Sequence, residues 1–331
     1  MDAQIAEKRN VTAEGVRMAA DRLSGVAMKT PLLESPWLNQ ELEGRVFIKA
    51  EVLQLGGSFK LRGAYNLIAK LEPAVRSRGV VAWSSGNHAQ GIALAARMFD
   101  CPAVIIMPQD APQIKIEMVR SYGAEIVFYD RYAEDREKIG VAIAAERDMA
   151  LAPSYDHPDI IEGQGTVGLE IASQAAAFGA AVDAVVICCG GGGLTAGCAI
   201  ALRDVSPATQ IWIAEPEGFD ESRRSIETGE RQNADVTQRT ICDAIATPTP
   251  GRLTLPVMQE LVAGGLTVTE DEVRAAMRFS MKHLKLIVEP GGAVALAAVL
   301  SGKIPVRGRT VAVTLSGGNA DPDMITSILA D

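Results

Sequence analysis

Seven short apolar runs recur along the chain: VFIKA (46–50), VVAWS (80–84), AVIIMP (103–108), EIVFY (125–129), AVVICC (184–189), IWIAE (211–215) and VAVTLS (311–316). Between most of them lie longer stretches with apolar residues at helical spacing, such as HAQGIALAARMF (88–99) and IKIEMVRSYG (114–123). Runs that are apolar at nearly every residue suit strands buried on both faces, and the intervening helices supply the cover. The rhythm predicts an α/β fold with parallel sheets. A chain of 331 residues has room for two such sheets around one site. The stretch 54–152 holds a complete set of these units. It reads as a small domain inserted into a large one made of residues 1–53 and 153–331.

Composition removes several functions. A net charge of −9 argues against nucleic-acid binding, which is driven by clustered Lys and Arg, and gives no basic face for an anionic membrane. No stretch approaches the roughly 20 apolar residues of a spanning helix. The opening MDAQIAEKRNVTAEG is polar, so neither a secretory signal nor a membrane anchor is expected. Cys101, Cys188, Cys189, Cys198 and Cys242 lack metal-ligand spacing. Three of them sit in or beside apolar runs, which predicts buried free thiols and a reducing cytoplasm.

In doubly wound sheets, chemistry collects where strands end and loops enter helices. Four loops here have that position. In AVVICC-GGGG-LTAGCAIALRD, Gly190, Gly191, Gly192 and Gly193 stand between a strand and a helix. Without side chains, their N–H groups are free to converge on an anion at a helix N-terminus. Close helix packing needs one or two glycines, so four point to a phosphate. The order matches neither a P-loop nor a GxGxxG dinucleotide turn. In GGSFKLRGAYN (56–66), Lys60 follows a Gly-Gly-Ser turn and opens a helix. A lysine forms an imine with a carbonyl cofactor where its surroundings lower its pKa; otherwise it is a solvated surface charge. In VVAWSSGNHAQG (80–91), Ser84, Ser85, Gly86, Asn87 and His88 make a polar turn suited to a carboxylate, or to a helix cap. In VAVTLSGGNAD (311–321), Ser316, Gly317, Gly318 and Asn319 end another strand, and alone they read as a turn.

Taken in order, SFKLRGA, SSGNHAQG, EGQGT (162–166), GGGGL, EPGGA (289–293) and SGGN resemble the serine/threonine dehydratase and serine racemase family of pyridoxal-5′-phosphate (PLP) enzymes. That family has the tryptophan-synthase-β fold: two doubly wound parallel-sheet domains with PLP in the cleft between them. The resemblance implies Lys60 as Schiff-base lysine and general base, with Phe59 packed on the ring. It places Gly190 to Gly193 and Leu194 on the phosphate and Asn87 on the ring hydroxyl. Ser84, Ser85, Asn87 and His88 would hold the substrate carboxylate. Ser85 also matches the serine that acts on the opposite face of Cα in the racemases. Ser316 would face the pyridine nitrogen, and Glu289 would lie near the ring. A hydroxyl does not keep that nitrogen protonated as a carboxylate would, so the ring is a weaker electron sink. Direct loss of a leaving group from Cβ is then favoured. The implied reaction is dehydration and deamination of a β-hydroxy amino acid to a 2-keto acid and ammonia.

Substrate choice rests on less. Arg136, in AEDREKI, matches an arginine that reaches a second carboxylate in the serine racemase branch. This favours 3-hydroxyaspartate over L-serine and L-threonine; a surface ion pair is the competing reading. Arg252, in TPTPGRLT, is a second candidate cation. The alternative activity is a serine or aspartate racemase, sharing Lys60 and Ser85. Glu215, the Phe219 carbonyl and Glu221 match the Mg²⁺ or Ca²⁺ site of that branch, with Asp220 adjacent and a glutamate in place of a shorter aspartate. Plain surface acids are the alternative. His157 and His283 read as structural. The resemblance also implies a homodimer or higher homo-oligomer. The chain stops too soon after SGGN to carry the regulatory domain of biosynthetic threonine deaminases.

Overall fold

The computed structural model describes residues 11–111, 113–235 and 237–330, so the first ten residues of the polar opening lie outside the described residues. Among the described residues, ten strands form two sheets: β1 (Leu32–Glu34), β2 (Arg45–Ala50), β3 (Val80–Trp83), β4 (Ala103–Pro108), β5 (Glu125–Tyr129), β6 (Ala150–Leu151), β7 (Ala184–Cys188), β8 (Gln210–Pro216), β9 (Gly264–Val268) and β10 (Thr310–Leu315). One sheet has the order β1-β2-β10-β7-β8-β9, the other β5-β4-β3-β6. All pairings are parallel except that of β1 with β2. All seven predicted strands are present, within a residue or two at each end. The three the pattern missed are the edge strands β1, β6 and β9.

Alternate residues of a strand leave opposite faces of its sheet, and here both faces are core. On β7, Ala184, Val186 and Cys188 pack into one apolar cluster while Val185 and Ile187 pack into another. On β3, Val80 and Ala82 face one side while Val81 and Trp83 face the other. This is why the strands read as continuous apolar runs rather than alternating ones. Each large side chain so buried contributes roughly 1.5–3 kcal/mol.

The lysine helix and the glycine-loop helix are brought together by a third. Helix Pro158–Ala177 packs against both Lys60–Lys70 and Gly193–Val205, and its EGQGT stretch lies at the crossings. A Cβ on Gly163 would lie 2.6 Å from the Arg62 carbonyl, and one on Gly165 would lie 2.7 Å from the Gly197 carbonyl. Backbone meets backbone at these points, so nothing larger than hydrogen fits. Beside the crossing runs a buried ion network. Arg62 binds Glu51 at 2.8 Å and Glu170 at 2.7 Å, and Glu170 also takes Lys49.

All five cysteines are buried and free. His157 caps helix Pro158–Ala177 by accepting from the Asp159 N–H, and His283 stacks on Trp37 and Phe279. Among the described residues, no helix is long and apolar enough to cross a membrane.

Substituting Gly165→Ala puts a methyl against an unyielding carbonyl. It should cost about 1–3 kcal/mol, measured as a lower denaturant midpoint at unchanged m-value.

Candidate active site

Apart from Arg252, every cofactor- and substrate-site residue named from the sequence lines one cleft, at the C-terminal ends of strands from both sheets. Lys60 opens its helix there. Its amine donates to the Ser154 carbonyl at 2.8 Å and lies 5.2 Å from the Phe59 ring centre. Burial disfavours the ammonium and lowers its pKa from 10.5 to about 8, with Glu289 partly opposing the shift.

The glycine loop is a set of unclaimed donors. The carbonyl of Gly190 accepts from the Ser222 hydroxyl at 2.8 Å, and that of Gly191 from the Thr254 hydroxyl at 2.6 Å and the Gly251 N–H at 3.1 Å. Among the described residues, no loop carbonyl takes the N–H groups of Gly190 to Gly193. Gly192 has φ +89°, a region where side chains are strained, and Gly191 lies under the Tyr155 ring, 2.4 Å from where its Cβ would be. Leu194 continues the helix, whose N-terminus faces the same space.

An acid and a set of neutral polar groups surround the lysine. Glu289 is buried at the start of helix Pro290–Leu300, and burial raises its pKa to about 7, against Asn87 and the more distant Lys115 and Lys60. It accepts from the Asn87 side-chain amide. The Asn87 oxygen accepts from Asn319 at 2.8 Å, and the same Asn319 amide donates to the Gly56 carbonyl at 2.9 Å. Ser316 ends β10 beside Cys188 on the cleft wall. Ser84 accepts the Gly86 N–H at 3.2 Å, turning the chain into helix Asn87–Met98, and Ser85 lines the cleft beside it. His88 sits 2.7 Å from the Ala152 carbonyl through Nε2, so that nitrogen carries the proton. Burial, and then the Lys60 charge, pull its pKa down to about 3, so the ring is neutral.

A model of the pyridoxal-phosphate dependent enzyme family matches residues 23–317. The chain belongs to that family. The L-threo-3-hydroxyaspartate ammonia-lyase of Pseudomonas sp is 46% identical over 311 residues, covering 94% of this chain and 96% of its own. The enzyme of the same name from Saccharomyces cerevisiae is 40% identical over 312 residues, 94% of each chain. The solved structure of maize serine racemase superposes with a TM-score of 0.90 at 33% identity, covering 97% of both chains.

The cleft fits the family's cofactor on its own evidence: free N–H groups at a helix N-terminus suit a phosphate, and a buried amine of lowered pKa suits an aldehyde. Arg136 is the first residue of helix Arg136–Arg147 and is half-buried on the cleft wall. Two of the acids beside it are otherwise engaged: Asp135 caps the helix by accepting from the Glu137 N–H at 2.9 Å, and Glu134 accepts from the Asp130 N–H at 2.7 Å. Among the described residues, Arg136 makes no ion pair. Arg252 is exposed and lies outside the cleft lining; only its N–H is held, by Asp156.

The Glu215, Phe219 and Glu221 set lies outside the cleft. Glu215 accepts the N–H groups of Ser222 (3.2 Å) and Arg223 (2.7 Å), capping helix Glu221–Thr228. One Glu221 oxygen accepts from the Thr247 hydroxyl at 2.8 Å, while the other is buried without a partner. Phe219 is buried, and Asp220 is taken by Arg223 and Arg224. Burial, with each acid near another, raises both glutamates above the usual carboxylate range. Among the described residues, no group of three or more His, Cys, Asp or Glu side chains is placed to hold a metal.

Sequence reasoning missed Trp83, Ser154, Tyr155 and the wall 243–247, all in the cleft. Trp83 abuts the SSGNH motif and was in view, but the others follow no motif. A larger cavity of about 620 Å³ is lined by Arg62 but by neither Lys60 nor the glycine loop, and its Arg62–Glu170 pair is already satisfied.

The lowered pKa of Lys60 has a direct consequence for cofactor uptake. The neutral amine is the nucleophile, so the rate of covalent PLP loading by apoenzyme should rise through pH 8 and level off by about pH 9–10. An amine at its ordinary pKa would still be climbing there. Stopped-flow absorbance of the bound cofactor measures this, and Lys60→Ala should abolish it.

Proposed function

We propose that the enzyme removes water and then ammonia from a β-hydroxy amino acid, and that L-threo-3-hydroxyaspartate is its preferred substrate. The observation that carries the reading is Arg136, a cation without an ion pair among the described residues, in the same cleft as Lys60 and the SSGNH loop. The two relatives above bear that substrate in their names.

When bound, PLP supplies the electron withdrawal that acidifies the Cα proton. The glycine loop, Gly190 to Gly193, and Leu194 would hold its phosphate, Phe59 would pack on its ring, Asn87 would bind the ring hydroxyl, and Ser316 would face the pyridine nitrogen. Lys60, half-neutral near pH 8, takes the Cα proton. The turn Ser84–His88 holds the α-carboxylate at a helix N-terminus, where N–H groups and partial positive charge favour an anion. Arg136 pairs with the second carboxylate, the geometry in which a guanidinium is strongest. The β-hydroxyl leaves as water, and the released enamine becomes an imine whose hydrolysis yields oxaloacetate and ammonia. Ser85 in the same cleft supports the alternative, inversion at Cα.

We further propose a Mg²⁺ or Ca²⁺ ion between Glu215, the Phe219 carbonyl and Glu221. The support is the unpartnered buried oxygen of Glu221, whose neighbour Glu215 is buried with it, while the nearby Arg223 and Arg224 are paired with Asp220. Two hydrogen bonds lead from this region to the cleft: Ser222 to the Gly190 carbonyl, and Thr247 to Glu221. The division into a large unit (1–53 and 153–331) and a small one (54–152) is supported by the strands, since all six of one sheet fall in the first and all four of the other in the second. A homodimer or higher homo-oligomer is supported by exposed Met28, Leu53 and Leu55, and a cytoplasmic location by five free thiols.

Purified holoenzyme supplied with L-serine, L-threonine and each 3-hydroxyaspartate stereoisomer should form oxaloacetate faster than pyruvate or 2-oxobutyrate. Arg136→Ala should lower kcat/KM for hydroxyaspartate about 10- to 100-fold. Faster turnover of serine or threonine overturns the substrate assignment, and Cα inversion without keto acid moves the racemase reading ahead.

Mg²⁺ or Ca²⁺ at about 100 times its Kd should raise stability by about 2.7 kcal/mol, seen as a higher Tm that EDTA reverses. Glu221→Gln should remove the response.

A further inference from the structure

Selecting a dicarboxylate requires more than a cation; the cation must stand at a set distance from the loop that grips the first carboxylate. The contact between Trp83 and Gly140 lies between those two elements. Trp83 is the last residue of β3, and the next residue, Ser84, begins the SSGNH turn. Its side chain leaves the face of the sheet that helix Arg136–Arg147 covers, together with Val81, Ile106, Ile139, Ile143 and Ala144. The helix comes against this ring at Gly140. A Cβ there would lie 2.6 and 2.9 Å from two atoms of the six-membered ring of Trp83 and 3.2 Å from the Ile106 side chain. Arg136 is four residues before Gly140, one turn along the same helix face. The face that rests on Trp83 is therefore the face that carries Arg136, and Trp83 and Arg136 line the cleft together.

We infer that the Trp83–Gly140 contact is a specificity device: by fixing how closely the helix approaches the end of β3, it sets the span between Arg136 and the SSGNH turn, and so the preference for amino acids with a second carboxylate. The inference rests on the Arg136 reading above. Trp83 and Gly140 act here as positioning residues, since Gly140 touches no reacting atom. The rest of the helix allows little adjustment. Its start is capped by Asp135, and its middle is packed by Ile139 and Ile143. A methyl on Gly140 is met by a ring on one side and a core isoleucine on the other, so it displaces the helix as a whole.

The test compares kcat/KM for L-threo-3-hydroxyaspartate with kcat/KM for L-serine in the holoenzyme. Gly140→Ala should lower this ratio about 10-fold or more while the L-serine value stays within about 2-fold, because a misplacement of an ångström costs up to about 100-fold in a positioned contact. Cofactor content and Tm are read on the same samples. Adding Trp83→Phe to Gly140→Ala removes the ring atoms in the way and should restore most of the lost ratio, a recovery that a merely structural role does not give. If Gly140→Ala does not accumulate as folded protein, Trp83→Phe alone tests the contact from the other side. It opens a gap under the helix and should also lower the ratio. An unchanged ratio in Gly140→Ala, or in Trp83→Phe where that variant carries the test, overturns the inference, and if Arg136→Ala lowers the ratio at the same time the substrate assignment stands. An unchanged ratio in Arg136→Ala sinks both.

Discussion

The site depends on how closely three helices approach one another. Helix Pro158–Ala177 carries no catalytic side chain, yet it determines where the lysine stands relative to the glycine loop. At Gly163 and Gly165 it meets the neighbouring helices backbone to backbone. Dispersion at such contacts is strong because no side chain intervenes, and it falls off within an ångström. The ion network of Arg62, Glu51, Glu170 and Lys49 works at the same junction with a different force. Arg62 is two residues past Lys60, so the cation buried there anchors the turn that presents the reactive amine. Four charges in so dry a place are tolerated because each has an opposite partner; removing Arg62 would leave Glu51 buried without its ion pair.

Burial also tunes the cleft itself. It pushes a lysine towards neutrality, a glutamate towards neutrality and a histidine far into the neutral range. The common cause is the cost of holding an isolated charge away from water. Near neutral pH the three groups therefore differ: Lys60, with a pKa of about 8, is still mostly an ammonium, Glu289 is about half ionised, and His88 is neutral. His88 carries the effect furthest. It is tied to the Ala152 carbonyl and stays neutral, so it shapes the pocket without adding charge to it.

How much of this was legible beforehand follows from which forces leave a local trace. Central strands do, because burial on both faces demands unbroken apolar runs; all six were readable, and the edge strand β5, with five residues of EIVFY, was the seventh. The other edge strands do not: β6 has two residues, β1 has three and β9 begins Gly-Gly, so none accumulates a pattern. The glycine loop, Lys60, the SSGNH turn and Ser316 were legible because chemistry restricts each to few residue types. Tyr155 was not. Its place under the glycine loop is a long-range contact, and nothing in SYDHP distinguishes it from any loop aromatic. Arg136 was visible among its acids, but only the fold shows Glu134 and Asp135 occupied elsewhere and Arg136 on the cleft wall. For Arg252 the same reasoning from a loop cation led outward, to an exposed residue held by its backbone alone.

The two ends of the cleft are made of different material. At the glycine-loop end the groups in position are main-chain N–H donors, the same atoms whatever the side chains, and the crowding at Gly191 and Gly192 leaves almost no variation open. At the other end the wall is built from side chains of separate elements: Trp83 at a strand end, Arg136 at a helix start and Thr247 in a loop. A mutation at the first end is nearly always a loss. A mutation at the second exchanges one contour for another and leaves cofactor binding alone. Such a protein can drift from one amino acid to another over generations while its chemistry is inherited unchanged, with invention confined to the half of the pocket that side chains compose.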